Sequence, residues 1–442
     1  MATKRVNRTF GRKKDGVPNI MAVDRISKLP DPVIHHILSF VPTLYAVRMS
    51  ILSRRWRRVW YSIPALHFCD SDNMGYPVFG GQQKKAFYKF VEECVKHRQI
   101  CTRYITDSVI TRFKLDIEHY GDNAPIDKWF TSAVLRNVEH LNLSIKAEDF
   151  VGFYRLPEAV LNARSLTVLK LSGLRLGNPC LVSLPSLLSL SLMQVELFDE
   201  PLRNLMLGCP ALEKFCLKDC FCLPKLQISS STLKFLEIID EDLFETIEVV
   251  AINLQSFIYD GDSNDINLSA CKAIRSLSLD SPLNSKSLED LICGLPLLES
   301  LTSDLHFELT LKHIRICGQH LKSIRLDIDD CGQENPEVTI EAPNLISFYY
   351  RGDIMCGISM NAPDNLLDVQ IVIEEGYSSG QKYDRDWYIN LIMFLSNFIF
   401  SWKTTVSLHV NSEEVCILYA SFVDLVYLQI IIARLIYLHI YK

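Results

Sequence analysis

Hydrophobic and polar positions follow two different rhythms along the chain, with the change near residue 110. Before it the spacing is helical. Ile34, Ile37, Leu38 and Val41 fall at i, i+3, i+4 and i+7 and make one apolar stripe. Leu29-Pro30 opens that helix, since proline is tolerated in a first turn, and Pro42 stops it. Thr43 is placed to cap a second helix carrying Leu44, Val47 and Ile51. Ser53 is placed to cap a third, in which Leu52, Trp56, Trp60 and Ile63 share a face and Arg54, Arg55, Arg57 and Arg58 fall mostly on the other. A turn-rich stretch (69–81) follows. Residues 84–96 then read as a packing helix with Phe87, Phe90, Val91, Cys94 and Val95 on one side.

From about Ile110 a short unit takes over, apolar-x-x-apolar-x-apolar. It returns at 110–115, 138–143, 166–171, 187–192, 212–217, 233–238, 254–259, 274–279, 298–303, 321–326, 345–350 and 366–371, with starts 20 to 28 residues apart. One copy is imperfect, because Ser303 stands where the last apolar residue belongs. This period is that of leucine-rich repeats, which run about 20–29 residues. The alternation within each unit marks a short strand whose apolar side chains point one way. No single unit can bury them, so stacked neighbours must share a continuous core in one solenoid. Pro- and Gly-bearing returns such as 183–186, 207–213 and 293–300 restart the strands, and the longer early spacings leave room for helix on the convex side.

The apolar stripe is therefore core, and the residues between its members face the concave side. In the first half these include Arg112, Lys114, Lys170, Lys214 and Lys218. In the second half one column becomes Asp260, Asp280, Asp304 and Asp327. Like charges about 5 Å apart on neighbouring strands repel, so the strip is either solvated or presented to a basic partner. Phe235, Ile258, Tyr349 and Arg351 are the candidate anchors beside it, because aromatic and arginine side chains dominate interface energies.

Three helices of this size cannot bury their own apolar surface, which leaves two readings. They form an ordinary cap on the solenoid, or they offer a face to a partner. The segments 24–31 (DRISKLPD), 37–43 (ILSFVPT), 52–60 (LSRRWRRVW) and 63–68 (IPALHF) closely resemble an F-box of the plant F-box/leucine-rich-repeat family. The resemblance implies docking to the Skp adaptor of a cullin–RING ubiquitin ligase, with ubiquitin chemistry on other subunits. Leu29, Pro30, Ile34, Ile37, Leu38, Val47, Leu52, Trp56 and Trp60 are then adaptor-facing or F-box core. Leu44, Tyr45 and Met49 depart from the lysine, acidic and small polar residues expected there, which motivates a second reading: a repeat scaffold whose degenerate F-box recruits no ligase.

Composition agrees with a folded α+β chain. It has 442 residues, 48% hydrophobic and 22% charged. The net charge of −6 is uneven: residues 1–60 carry 13 Lys/Arg against 3 Asp/Glu, leaving −16 on the rest. A basic arm on an acidic body argues against a nucleic-acid enzyme and suits a module meeting an acidic adaptor. The fourteen cysteines form no framework, and no apolar run follows Lys4-Arg5, so reduced intracellular thiols are expected. The densest group, Cys209, Cys216, Cys220 and Cys222, lacks zinc spacing and reads as apolar thiols. No metal, cofactor or catalytic motif is found, and His35-His36 read as a solvated flank. Residues 1–20 form a basic tail in which Lys4-Arg5 and Arg12-Lys13-Lys14 suit a nuclear import signal, so nucleus and/or cytoplasm is the expected location.

The domain reading is F-box at 21–68, connector at 69–105, repeats at 106–375, and a linker at 376–414. That linker's Trp387–Trp402 stretch resembles the start of the segment leading to an FBD domain in this family. Residues 415–441 are nearly all apolar and show no FBD pattern. A membrane helix there would set Asp424 near mid-span at a cost of roughly 2.5–3.5 kcal/mol. An apolar cap on the solenoid is a second reading. A third, an aberrant end from an alternative gene structure, accounts for the missing FBD pattern.

Overall fold

The computed structural model describes residues 28–70, 81–101, 110–117, 123–146, 154–177, 181–221, 223–240, 244–263, 265–281, 285–305, 313–328, 336–361, 365–374, 385–398 and 405–411. The basic tail, Cys222 and the 415–441 segment lie outside the described residues.

The three N-terminal helices are α1 (Asp31–Leu38), α2 (Thr43–Met49) and α3 (Arg54–Ser62). Pro30 and Pro42 are the N-cap residues of the first two. Thr43 is therefore the first residue of α2 rather than its cap, and its hydroxyl accepts the His67 backbone N–H at 2.8 Å. Ser53 does cap α3, its Oγ accepting from the Trp56 N–H at 3.2 Å. Arg55 ties the module together: its guanidinium reaches the Asp31 carboxylate at 2.6 Å and also donates to the Leu29 carbonyl. Ile34, Leu38, Ala46, Trp56, Val59, Trp60 and Ile63 are buried at the centre.

These residues belong to one continuous core that runs on through the solenoid to Leu408. The solenoid's main sheet has fourteen parallel strands in chain order. Twelve of them fall on the twelve repeat units. The other two lie beyond the repeat boundaries inferred from sequence. Ala65–Cys69, at the end of the F-box segment, pairs with Arg112–Ile117. Thr405–Asn411 pairs with Asp368–Glu374 at the far end. The helix Arg385–Ser396 packs under this last part, with Trp387, Leu391, Phe394 and Leu395 buried and Phe398 just beyond it stacked on Phe348 at 5.5 Å. Residues 385–398 and 405–411, inside the expected linker, thus pack on and extend the solenoid.

On the convex side the return segments follow the spacing. The 28-residue interval after 110 holds the helix Asn123–Val134, and the 25-residue interval after 187 holds Asp199–Gly208. Intervals of 20–21 residues have room only for extended returns, and Lys225–Ser229, Thr246–Val250 and Ile266–Asn267 pair in parallel as a small second sheet. A third small sheet forms from His313–Cys317, Glu337–Glu341 and Gly357–Met360. Ser303 remains on the core side of its strand, 1% exposed, in register with Leu279 and Leu326.

Candidate functional site

Two surfaces stand out. The first is on the F-box. Large apolar residues left exposed among the described residues concentrate between 33 and 52: Val33, Ile37, Phe40 (69%), Tyr45, Ile51 (79%) and Leu52 (70%). Exposed apolar residues gathered on one short helical module mark an interaction surface. Of the adaptor candidates, Ile37 and Leu52 are exposed, Pro30 is exposed, and Leu29 and Val47 are half-buried. Ile34, Leu38, Trp56 and Trp60 are buried, so they take the core role and hold the exposed set in place. Leu52 and Ile51 sit in the turn before α3 and not on a helix face, which is why they do not join the Trp56/Trp60 stripe. Phe40 has no signal in the helical pattern because it lies off the stripe, two residues past the end of α1. Among the departures in α2, Leu44 points inward and is buried, while Tyr45 is exposed with the Arg48 guanidinium 5.6 Å from its ring centroid. His35 is half-buried, with Nε2 2.8 Å from the Ser62 hydroxyl.

The second surface is the concave face. Strand register stacks Asp260, Asp280, Asp304 and Asp327 in one column, and the next position along it is Arg351. Two strands before Asp260 the same column holds Lys218, across Ile239. In the neighbouring column the Arg325 guanidinium lies 3.7 Å from the Tyr349 ring centroid while its Nε donates to the Asp327 carboxylate at 3.1 Å. Ile258 is half-buried beside this strip, and Phe235 lies under the Lys214 ammonium at 4.2 Å. The anchors expected from sequence thus share one face. At its F-box end Arg112, Lys114 and Lys170 gather around a cavity of about 210 Å³.

The two surfaces are held at a fixed angle. Arg98, near the end of the packing helix Gly81–Cys101, is fully buried. Its guanidinium donates to the backbone carbonyls of Trp60 (3.2 Å), Tyr61 and Ile63 (2.6 Å), which are the orphan carbonyls at the C-terminus of α3. A cation there also meets the negative end of the helix dipole. Next to it Phe68 of the first strand packs against Phe90 and Phe113 at 6.0 and 5.8 Å.

Burial pushes the Cys209 and Cys216 thiols up to about 12 and Cys220 up to about 11, so none is a thiolate nucleophile. Among the described residues no group of three or more His, Cys, Asp or Glu is placed to hold a metal ion, and no helix is long and apolar enough to cross a membrane.

Comparison with known proteins matches residues 26–67 to the F-box domain and residues 106–324 to the At1g61320/AtMIF1 LRR domain. F-box/LRR-repeat protein 25 of Arabidopsis thaliana is 32% identical over 209 residues, 47% of this chain and 72% of that protein. The chain belongs to the F-box/LRR-repeat family. F-box/LRR-repeat protein 13 of the same plant is 33% identical over 226 residues, covering 50% of this chain and 47% of its own length. The FBD-associated F-box protein At4g13985 is 31% identical over 251 residues, 55% and 48% respectively. Against most of these F-box/LRR relatives the match spans about half of the relative's length or less.

Proposed function

We propose that this F-box/LRR chain is the substrate-receptor subunit of a Skp–cullin–F-box ubiquitin ligase. The F-box docks a Skp-type adaptor, and through it a cullin, while the concave face holds a target protein. The single observation that carries this reading is the concentration of exposed apolar residues on a module whose own core is already filled by Ile34, Leu38, Trp56 and Trp60. That surface needs a partner, and the family's F-box supplies its kind. The chain contributes no reacting group. It raises the effective concentration of target beside the ubiquitin-charged enzyme, and well-placed partners gain large factors in this way.

The test is a pull-down of the Skp adaptor by the full chain, beside Phe40→Asp and Ile51→Asp variants that retain the parent melting curve. Capture by the parent and loss in both variants is expected. A folded parent that captures no adaptor would instead leave a repeat scaffold without a ligase, with Leu44, Tyr45 and Met49 the first residues to restore to the family pattern. Reconstitution of the full ligase, reading ubiquitin transfer to a bound protein, tests the second half.

A further inference from the structure

We infer that the arginine strip on the outer face of α3 steers the adaptor onto the F-box, and that the adaptor surface meeting it carries carboxylates; this rests on the receptor reading above. Arg54, Arg57 and Arg58 stand at i, i+3 and i+4 on α3, and all three are exposed. Trp56, Val59 and Trp60, interleaved with them, face the core. The strip borders the exposed apolar set. Ser53 caps α3, so Leu52 is the residue before the cap and Arg57 is the fourth helical residue. Those two positions lie side by side over the first turn of a helix. The exposed Leu52 and Ile51 are thus flanked by guanidiniums, which gives the surface an apolar centre and a charged rim.

The three helices do not neutralise this strip. Residues 28–63 hold six Lys/Arg against a single acidic residue, Asp31. Asp31 already accepts from the Arg55 guanidinium at 2.6 Å. Among the described residues no carboxylate pairs with Arg54, Arg57 or Arg58. The placement also works against α3 itself. Its first turn holds Arg54 and Arg55 and no acidic residue, so cations meet the positive end of the helix dipole. Like charges at i+3 and i+4 repel as well. An arrangement that local rules disfavour is expected where another chain makes use of it. Neighbours in the strip are about 5–6 Å apart at Cβ, less than the Debye length of about 8 Å at physiological salt. An approaching chain therefore meets them as one charge of about +3. Its complement is a surface bearing Asp or Glu opposite α3, drawn in before apolar contact forms. Complementary charge at a rim acts on the association rate more than on the lifetime of the complex.

The experiment is stopped-flow mixing of the full chain with a dye-labelled Skp adaptor, which reads association and dissociation separately, at about 20 and about 500 mM NaCl. The parent's association rate should fall at least about tenfold across that range, as steered encounter requires. Arg57→Glu should slow association about tenfold at low salt, with dissociation within about threefold of the parent, and the difference should collapse at high salt. Arg57→Gln, which removes the charge without reversing it, should lose about threefold. Arg203→Glu makes the same change of net charge as Arg57→Glu on the exposed side of the convex helix Asp199–Gly208. It should leave association within about twofold of the parent. Each variant is used once its melting curve matches the parent's. A salt-independent parent rate, an Arg57→Glu effect confined to dissociation, or an equal loss in Arg203→Glu would overturn the strip, while the receptor reading would stand because the adaptor still binds. A parent that binds no adaptor at either salt would overturn both.

Discussion

Arg98→Met is the most informative single change, because it severs the F-box from the solenoid without touching either binding surface. Methionine keeps the apolar stem that fills the space. It removes the guanidinium, which serves the carbonyls of Trp60, Tyr61 and Ile63 from a fully buried position. A hydrogen bond from a charged donor contributes about 1.5–3 kcal/mol, and buried acceptors left unserved add their desolvation cost. The lost helix-terminal charge adds up to about 2 kcal/mol in a buried setting. Water entering the gap recovers part of this, so we set the net at about 3–5 kcal/mol. Since every 1.4 kcal/mol is tenfold, opening of the α3 end should become roughly a hundredfold to several thousandfold more frequent. Hydrogen exchange by mass spectrometry reads this directly: amides of Arg54–Ser62 should lose protection by that factor, while those of Ser323–Ile328, ten strands along the sheet from the junction, keep theirs. Arg98→Lys should restore only part, since one ammonium cannot span three carbonyls. A change below about 1 kcal/mol in the Met variant would refute the claim that this side chain fixes the junction.

Three further outcomes are expected. Ile51→Asp and Phe40→Asp should abolish adaptor capture with unchanged melting, whereas Trp56→Ala, which empties a buried site, should cost about 3–5 kcal/mol of F-box stability and lose capture through unfolding. Asp116 should stabilise the first strands in a pH-dependent way. Burial pushes its carboxyl upward, but hydrogen bonds from His67 and Lys114 outweigh this and hold it below the ordinary carboxylate value. A lowered folded value means the contribution is present above the unfolded pKa of about 3.9 and is lost as pH falls through the folded one. Urea midpoints of the parent and Asp116→Asn should therefore differ above about pH 5 and converge as pH falls below about 4. Gly173 sits at φ +69° with the Ile145 carbonyl oxygen 1.7 Å from where a Cβ would be. Gly173→Ala should destabilise the solenoid by roughly 2 kcal/mol or more in the same assay.

The strand pattern was legible because a repeat states the same message twelve times, and the concave columns follow once the period-2 alternation is known. The two end strands were harder to see for different reasons. Ile63-Pro-Ala-Leu66-His-Phe68 satisfies the repeat template in full, but its residues also complete the F-box motif, so the motif alone puts a boundary at 68 although the chain uses the segment for both. Val406-x-Leu408 keeps two of the three apolar positions and has Lys403 at the first, too little to count as a copy. Arg98 has no sequence signature at all. Its partners are backbone carbonyls some 35 residues earlier, and a lone arginine on a helix reads as a solvated position. The exposed set on the F-box was half legible: Ile37 and Leu52 were singled out, but helical spacing also promoted Trp56 and Trp60, which pack inward. Periodicity finds the apolar face of a helix and does not say whether that face meets its own module or another chain.

The shared strand bears on how such a receptor would work. Were the F-box joined to the repeats by a linker, the target would sample a broad volume, and effective concentration would fall as the tether lengthened. Here Ala65–Cys69 follows directly from α3 and is already the first strand of the concave sheet, Arg98 closes the end of α3, and Phe68, Phe90 and Phe113 pack across the seam. The angle between the exposed F-box surface and the concave face is thus set by core packing, which is close-fitting and resists deformation. A scaffold that merely held a target would have no use for a fixed angle. A receptor that must present one side of its target to an enzyme bound elsewhere would, and under the proposed function the junction is what supplies it.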